Sequence, residues 1–299
     1  MRKLNIWERG LVMSAKGKKG RRRGGVRVRT QHDLNALFPY LMKRRCDSLV
    51  FYTMQLDMEP LLEYIALQKE TGQAITFFEF FCAAIIKLMR EREHINRFVK
   101  GRRLYQREDV EISTVAKREM SDQGAETNLI LRFDKKAVFD DILSRLRGEI
   151  KTVKENAPSK DDKLFATFLK LPRSLLMLFF RFLDFSDFYR GVPRFIEEAD
   201  PMRASCFIAN LGSVGVDAPY HHLYEWGTCS LFVTIGQIKK MPAVLEDETL
   251  GIRTMVECKV VLDERIADGF YFARSLDLFK DYFAEPGKMV ASMRHIKDD

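Results

Sequence analysis

Two adjacent histidines, His221-His222, and two carboxylates four residues apart, Glu264 and Asp268, are the side chains in this 299-residue chain best suited to moving a proton. Imidazole titrates near pH 6.5, so a histidine serves as general base at neutral pH; an ordinary glutamate, at about 4.3, must first be desolvated. Glu264 and Asp268 stand in Asp263–Gly269, which reads Asp-Glu-Arg-Ile-Ala-Asp-Gly. Asn210 and Ser213, in an Asn-Leu-Gly-Ser segment, are polar groups able to donate to an oxyanion, against ordinary roles in a turn. The histidine pair has an equally ordinary alternative as a surface or structural pair. No glycine-rich phosphate loop, metal-ligand spacing or nucleophile elbow is present, so no metal is expected.

The elements that must hold these groups follow from periodicity. Thr254–Leu262 alternates, with Val256, Cys258, Val260 and Leu262 on one face and Glu257 and Lys259 on the other, and this strand runs straight into Asp263–Gly269. Ser205–Asn210 and Leu231–Ile238 are further strands, the second carrying Thr234. Leu49–Asp57, Val110–Lys117 and Thr127–Phe133 complete the strand-rich sequence, with a hairpin over Arg97–Gln106 turning at Lys100-Gly101. Helical spacing marks Asp33–Arg45, interrupted by Pro39, then Met58–Glu70 and a segment capped by Thr76 and Glu79. Ala137–Lys154 is a polar amphipathic helix, and a last helix through Phe272, Leu276, Phe279 and Phe283 stops at Pro286-Gly287.

Two segments differ in character. Residues 1–30 hold eleven Lys/Arg and one acid, so the net charge of +8 belongs to this arm and the rest of the chain sums to about −2. Lys16–Gly25 cannot bury enough apolar surface to fold alone, and no apolar stretch follows it as in a secretory signal. The arm suits a solvated or tethering role, or contact with anionic lipid or RNA phosphates. Leu164–Phe195 is dense in phenylalanine with basic residues between; its longest uncharged run, Ser174–Phe180, is far too short to span a membrane. It reads either as a helical pair packed on the body or on a neighbouring subunit, or as a helix lying in a membrane interface with Arg173 and Arg181 at the headgroups. Five scattered cysteines without a Cys-x-x-Cys pair fit a reducing cytoplasm, with the cytoplasmic membrane surface open to the basic arm.

Three stretches in order carry a resemblance. Val261–Phe283 contains Asp-Gly-Phe, Cys206–Gly215 contains Ile-Ala-Asn-Leu-Gly, and Met54–Ile65 begins Met-Gln-Leu-Asp. Together they resemble the CoA-dependent acyltransferases related to chloramphenicol acetyltransferase and the dihydrolipoyl acyltransferase core, over roughly residues 35–150 and 202–285. The resemblance implies an α/β fold, a two-layer α+β sandwich with a mixed sheet, that forms homotrimers with the site between subunits. It also implies an acyl group taken from a CoA thioester as substrate. The position of the family's histidine base falls on Glu264 and that of its oxyanion serine on Ala209. Thr234 matches a threonine that assists at the transition state. Asp268 matches the loop-bracing aspartate, with Arg44 or Arg45 as its expected partner. A carboxylate in place of imidazole costs about 3 kcal/mol in proton affinity, and loss of an oxyanion hydroxyl about as much again. The expected activity is therefore a diverged acyl transfer, set against a silent trimeric scaffold associated with a membrane or polyanion. No lipoyl domain is expected in cis, and residues 31–299 are expected to form one acyltransferase-like domain with a helical insertion at about 155–200.

Overall fold

The computed structural model describes residues 21–22, 24–29, 36–117, 126–155, 170–245 and 247–294. Its strands are β1 (Arg21–Arg22), β2 (Gly25–Arg27), β3 (Leu49–Asp57), β4 (Arg97–Lys100), β5 (Arg103–Gln106), β6 (Val110–Lys117), β7 (Glu126–Phe133), β8 (Cys206–Asn210), β9 (Leu231–Val244) and β10 (Leu250–Asp263). The helices are α1 (Phe38–Leu41), α2 (Glu59–Glu70), α3 (Phe77–Glu91), α4 (Phe139–Glu155), α5 (Arg173–Tyr189), α6 (Arg194–Ala199), α7 (Gly269–Ala284) and α8 (Pro286–Arg294).

Six strands form one mixed sheet in the order β3-β10-β9-β8-β6-β7, with β8 parallel to both its neighbours and the other pairs antiparallel. Period-2 alternation gives this sheet two different faces. Met54, Ile112, Ile208, Val233, Cys258 and Val260 meet the apolar faces of α2, α3, α4, α7 and α8, and this layer is the main core. The opposite face carries a smaller cluster of Phe207, Leu223, Cys229, Phe232 and Val261. The mixed sheet with helices on one face is the two-layer architecture expected. Helix α3 starts in a full capping box: Glu79 N–H donates to Thr76 Oγ1 at 3.3 Å and Thr76 N–H donates to the Glu79 carboxylate at 2.8 Å.

Four expectations need correction. Of the helix expected over Asp33–Arg45, residues 33–35 lie outside the described residues, and the described part is α-helical only in the single turn α1, where Pro39 stands in the first turn rather than interrupting, because its missing N–H is not needed there. Pro286 likewise begins α8 instead of ending the chain's helical structure. Strands β9 and β10 run well past Ile238 and before Thr254, forming a hairpin ribbon in which residues 250–254 pair only with β9. Finally, the basic segment is not unstructured to its end: β2 adds to the edge of the β4–β5 hairpin, Val26 opposite Gln106 and Arg27 opposite Tyr105. Gly25 permits this docking, since a Cβ there would sit 2.8 Å from the Gln106 carbonyl oxygen. Residues 1–20 of the arm and residues 156–169, which include the first part of the aromatic segment, lie outside the described residues.

Candidate active site

The turn that follows β10 is held from below by a fully buried carboxylate. Asp263 receives Ser48 Oγ–H at 3.0 Å, the Arg265 backbone N–H at 3.1 Å and the Arg265 guanidinium through Nε at 2.8 Å and Nη2 at 2.7 Å. Arg45 Nε lies 3.5 Å from the same carboxylate, while its other nitrogens donate to the carbonyls of Tyr224 and Gly227. Burial lowers the Arg45 pKa and the charge of Asp263 opposes that shift. Two arginines and one aspartate thus clamp the turn, and Ile266 and Ala267 bury their side chains beneath it. Glu264 follows the clamp: its backbone N–H donates to Ser48 O at 2.9 Å and its side chain is half-buried. Arg45 therefore braces Asp263, not Asp268 as expected. Asp268 is exposed and caps α7 by accepting the Tyr271 N–H at 2.8 Å.

The histidines sit on the open face of the sheet. His221 lies flat on Phe232, with ring centroids 4.0 Å apart and planes 4° from parallel, and His222 stacks on it in turn at 4.9 Å. His221 Nδ1 is 2.9 Å from the His222 carbonyl oxygen and His222 Nδ1 is 3.2 Å from that of Leu223. A carbonyl can only accept, so each Nδ1 carries a proton, and Nε2 is the nitrogen through which either ring could act as a base. The loop holding them continues to Tyr224 and Gly227, whose carbonyls take Arg45. The histidine pair and Glu264 consequently occupy the same end of the sheet.

Thr234, Ala209, Asn210 and Ser213 form a second group. Ala209 and Thr234 are register partners on β8 and β9, and Lys259 continues the row on β10. Thr234 is almost wholly buried and its hydroxyl donates to the Pro219 carbonyl at 2.6 Å. The Ser213 hydroxyl donates to the Asn210 carbonyl at 2.7 Å. Asn210 ends β8 half-exposed, before a short 3-10 turn over Leu211–Val214. That turn packs on β9 through Gly212, where a Cβ would fall 2.2 Å from the Gly236 carbonyl oxygen. The row of Thr234 and Lys259 lies three residues along β10 from Leu262, so more than roughly 10 Å separates it from Glu264. One protomer does not bring Glu264 to this row, whereas His221 stacks on Phe232, two residues from Thr234 on β9.

Two features escaped the reading of the sequence. On the open face, Lys259 Nζ reaches Thr53 Oγ1 at 3.0 Å and Glu257 at 2.7 Å, while Tyr220 covers it with its ring and bonds Thr53 through its hydroxyl at 2.5 Å. On the helical side, His94 stacks on Tyr271 at 4.3 Å, three residues into α7 from Asp268. Burial, and then the charge of Arg97, push the His94 pKa down to about 4. No periodicity or local motif marks either. Cysteine chemistry is disfavoured: burial raises the pKa of Cys82, Cys206, Cys229 and Cys258, which keeps these thiols protonated. Among the described residues no cluster of His, Cys, Asp and Glu is arranged to hold a metal ion.

Residues 194–291 match the family model of the 2-oxoacid dehydrogenase acyltransferase catalytic domain. No curated protein sequence matches the chain. Among solved structures, the chain is similar to a dihydrolipoamide acetyltransferase of Azotobacter vinelandii, with a TM-score of 0.55 and 14% identity over 88% of this chain and 94% of that one. That enzyme is described by the roles of a serine, a histidine and, four positions after the histidine, an asparagine in its catalytic mechanism. A probable dihydrolipoamide acetyltransferase of Listeria monocytogenes 4b F2365 gives a TM-score of 0.53 and 15% identity over 86% of this chain and 95% of that one. A chloramphenicol acetyltransferase gives 0.52 and 11% over 87% and 99%. The chain therefore has the fold of these acyltransferases, and it resembles the CoA-dependent acyltransferase superfamily.

Proposed function

We propose that this chain, built on the acyltransferase fold, is a diverged acyltransferase of the 2-oxoacid dehydrogenase type that takes an acyl group from a CoA thioester. The observation that carries the reading is the clamped turn: Asp263, Arg45 and Arg265 hold Glu264 at a fixed place at the end of β10, within the segment that matches the family model. In this reading a base, Glu264 or a histidine of the 221–222 pair, removes the proton of an acceptor hydroxyl or thiol. The acceptor attacks the thioester carbonyl, and the tetrahedral oxyanion collapses with departure of the CoA thiolate, which recovers a proton. Because Glu264 and the Ala209–Thr234 row lie apart in one protomer, the reading with Glu264 as base requires neighbouring copies to complete a site, consistent with a homotrimer. The β9–β10 ribbon supports such an assembly: Val244, Leu250 and Ile252 are exposed on a two-stranded extension that is only marginally stable without a partner.

The test is thioester cleavage by the intact protein and by Glu264→Gln, His221→Ala and His222→Ala. Loss of at least a hundredfold in rate in one variant, with CoA binding retained, identifies the base. A second reading, a silent trimeric scaffold that binds a CoA-like ligand, is favoured by the absence of a hydroxyl at Ala209 and by the Thr234 and Ser213 hydroxyls being bonded to carbonyls. CoA binding without turnover in the unaltered protein selects that reading.

A further inference from the structure

Helix α5 is apolar on nearly every side, yet only one side meets the body. Leu183 and Asp187 are buried, and Leu176 and Phe179 are half-buried on the same side. On the opposite side Leu175, Leu178, Phe182, Phe185 and Tyr189 fall three and four residues apart, and each exposes more than half of its surface. Met177 and Phe188 widen this stripe to an arc of roughly 160°. A helix apolar all round belongs in an apolar environment, and here half of it faces outward.

We propose that α5 seats the protein in the plane of an anionic lipid surface. The spacing of the stripe alone admits a partner helix, but its charge does not favour a second copy of α5. Arg181 projects from within the exposed arc, Lys170 and Arg173 precede it, and Arg190 follows it, all exposed; Asp184 is the exposed acid of the helix, while Asp187 is buried against Lys100 and Arg203. Two such helices side by side repel, whereas phosphate headgroups attract each of these cations. Long arginine side chains keep their heads among the headgroups while their stems lie along the apolar arc. The arc is also wider than the narrow seam of a helix pair and is rich in aromatic rings, which suit the boundary of headgroup and acyl chain. Among the described residues no helix is long and apolar enough to cross a membrane, so α5 lies on the surface. The buried ion pairs of Asp187 fix the helix to the body, so the whole domain follows it down.

The experiment is co-sedimentation of the full chain with vesicles of phosphatidylglycerol and phosphatidylcholine, compared with vesicles of phosphatidylcholine alone, and with mass measured by sedimentation velocity. Binding to the anionic vesicles, weakened by salt and reduced roughly tenfold or more in Phe182→Glu/Phe185→Glu at unchanged mass, supports the proposal. Three results overturn it: no binding to anionic vesicles, equal binding by the double variant (lipid contact then lies elsewhere, as in the basic arm), or a fall in oligomeric mass, which makes the stripe a protein contact. Should the double variant not fold, Phe182→Trp decides, in a chain whose own tryptophans, Trp7 and Trp226, are replaced by phenylalanine. Quenching of its emission by brominated lipid supports insertion, and unchanged emission overturns it.

Discussion

Lys100, at the turn of the β4–β5 hairpin, and Asp187, in the last turn of α5, meet at 2.6 Å with the carboxylate fully buried. Arg203 adds two contacts to the same carboxylate, at 2.8 and 3.3 Å, and a further ion pair to Asp200 at 3.1 Å. Burial alone raises the pKa of Asp187, but the hydrogen bonds and charges of Arg203 and Lys100 outweigh it and hold the group below the ordinary carboxylate value. This ion pair joins the aromatic helix to a hairpin that lies 87 positions away in sequence, as counted from the two residue numbers.

Replacing Asp187 with alanine leaves two cations buried without their anion and is expected to cost about 3–5 kcal/mol of stability in chemical denaturation. Because the folded-state pKa is depressed, the contribution of Asp187 is complete above its ordinary value of 3.8 and disappears as the pH falls through the folded value. The difference in stability between the native protein and Asp187→Asn is therefore expected to shrink in acid. A difference that stays constant down to pH 2 contradicts the assignment.

The turn after β10 separates bracing from chemistry. Asp263→Ala strands Arg45 and Arg265 and is expected to destabilise the fold by about 3–5 kcal/mol. Glu264→Gln, half-exposed and outside the clamp, is expected to change stability by less than about 0.5 kcal/mol. Parallel urea titrations of the two variants check this, and equal losses mean that Glu264 belongs to the scaffold.

His94 supplies an acid-sensitive element. Its folded pKa of about 4 lies below its ordinary 6.5, so between those values the unfolded chain takes up a proton that the folded chain does not. Stability is expected to be insensitive to His94 above pH 6.5 and to fall as the pH drops from 6.5 toward 4. In His94→Asn that part of the loss is expected to be absent, as read from melting temperatures across the pH range.

Gly212→Ala places a methyl group against the Gly236 carbonyl, backbone against backbone, where no side chain can turn aside. Overpacking of this kind costs about 1–3 kcal/mol, and the 3-10 turn next to Asn210 must lift from β9 to relieve it. Faster amide exchange in residues 211–215 is the expected sign. Unchanged exchange and stability mean that the approach is looser than described.

Much of this fold is written locally. Strands β3 and β6 follow from β-branched and aromatic runs, and α3 from Thr76 and Glu79, because the forces that place them act within a few residues. The turn at Asp263–Gly269 also announces itself by its position after an alternating strand. Its bracing does not: the sequence reading puts the brace at Asp268, and only the long-range approach of Arg45 and Ser48 reveals Asp263. Likewise, the polar residues of the second group read as donors, yet Thr234 and Ser213 spend their protons on the carbonyls of Pro219 and Asn210. The ribbon of β9 and β10 is longer than its sequence suggests, since exposed Val244 and Ile252 have no apolar face to reveal a period.

Trp226 stands where the aromatic helix meets the sheet-bound loops: edge-on to Phe180 at 5.8 Å, its indole N–H on Asp200, and Arg203 above its ring. A fluorophore therefore stands at this junction. Any event that lifts or tilts the helix must alter its emission, so undocking can be followed optically without a label once Trp7, the other tryptophan of the chain, is replaced by phenylalanine.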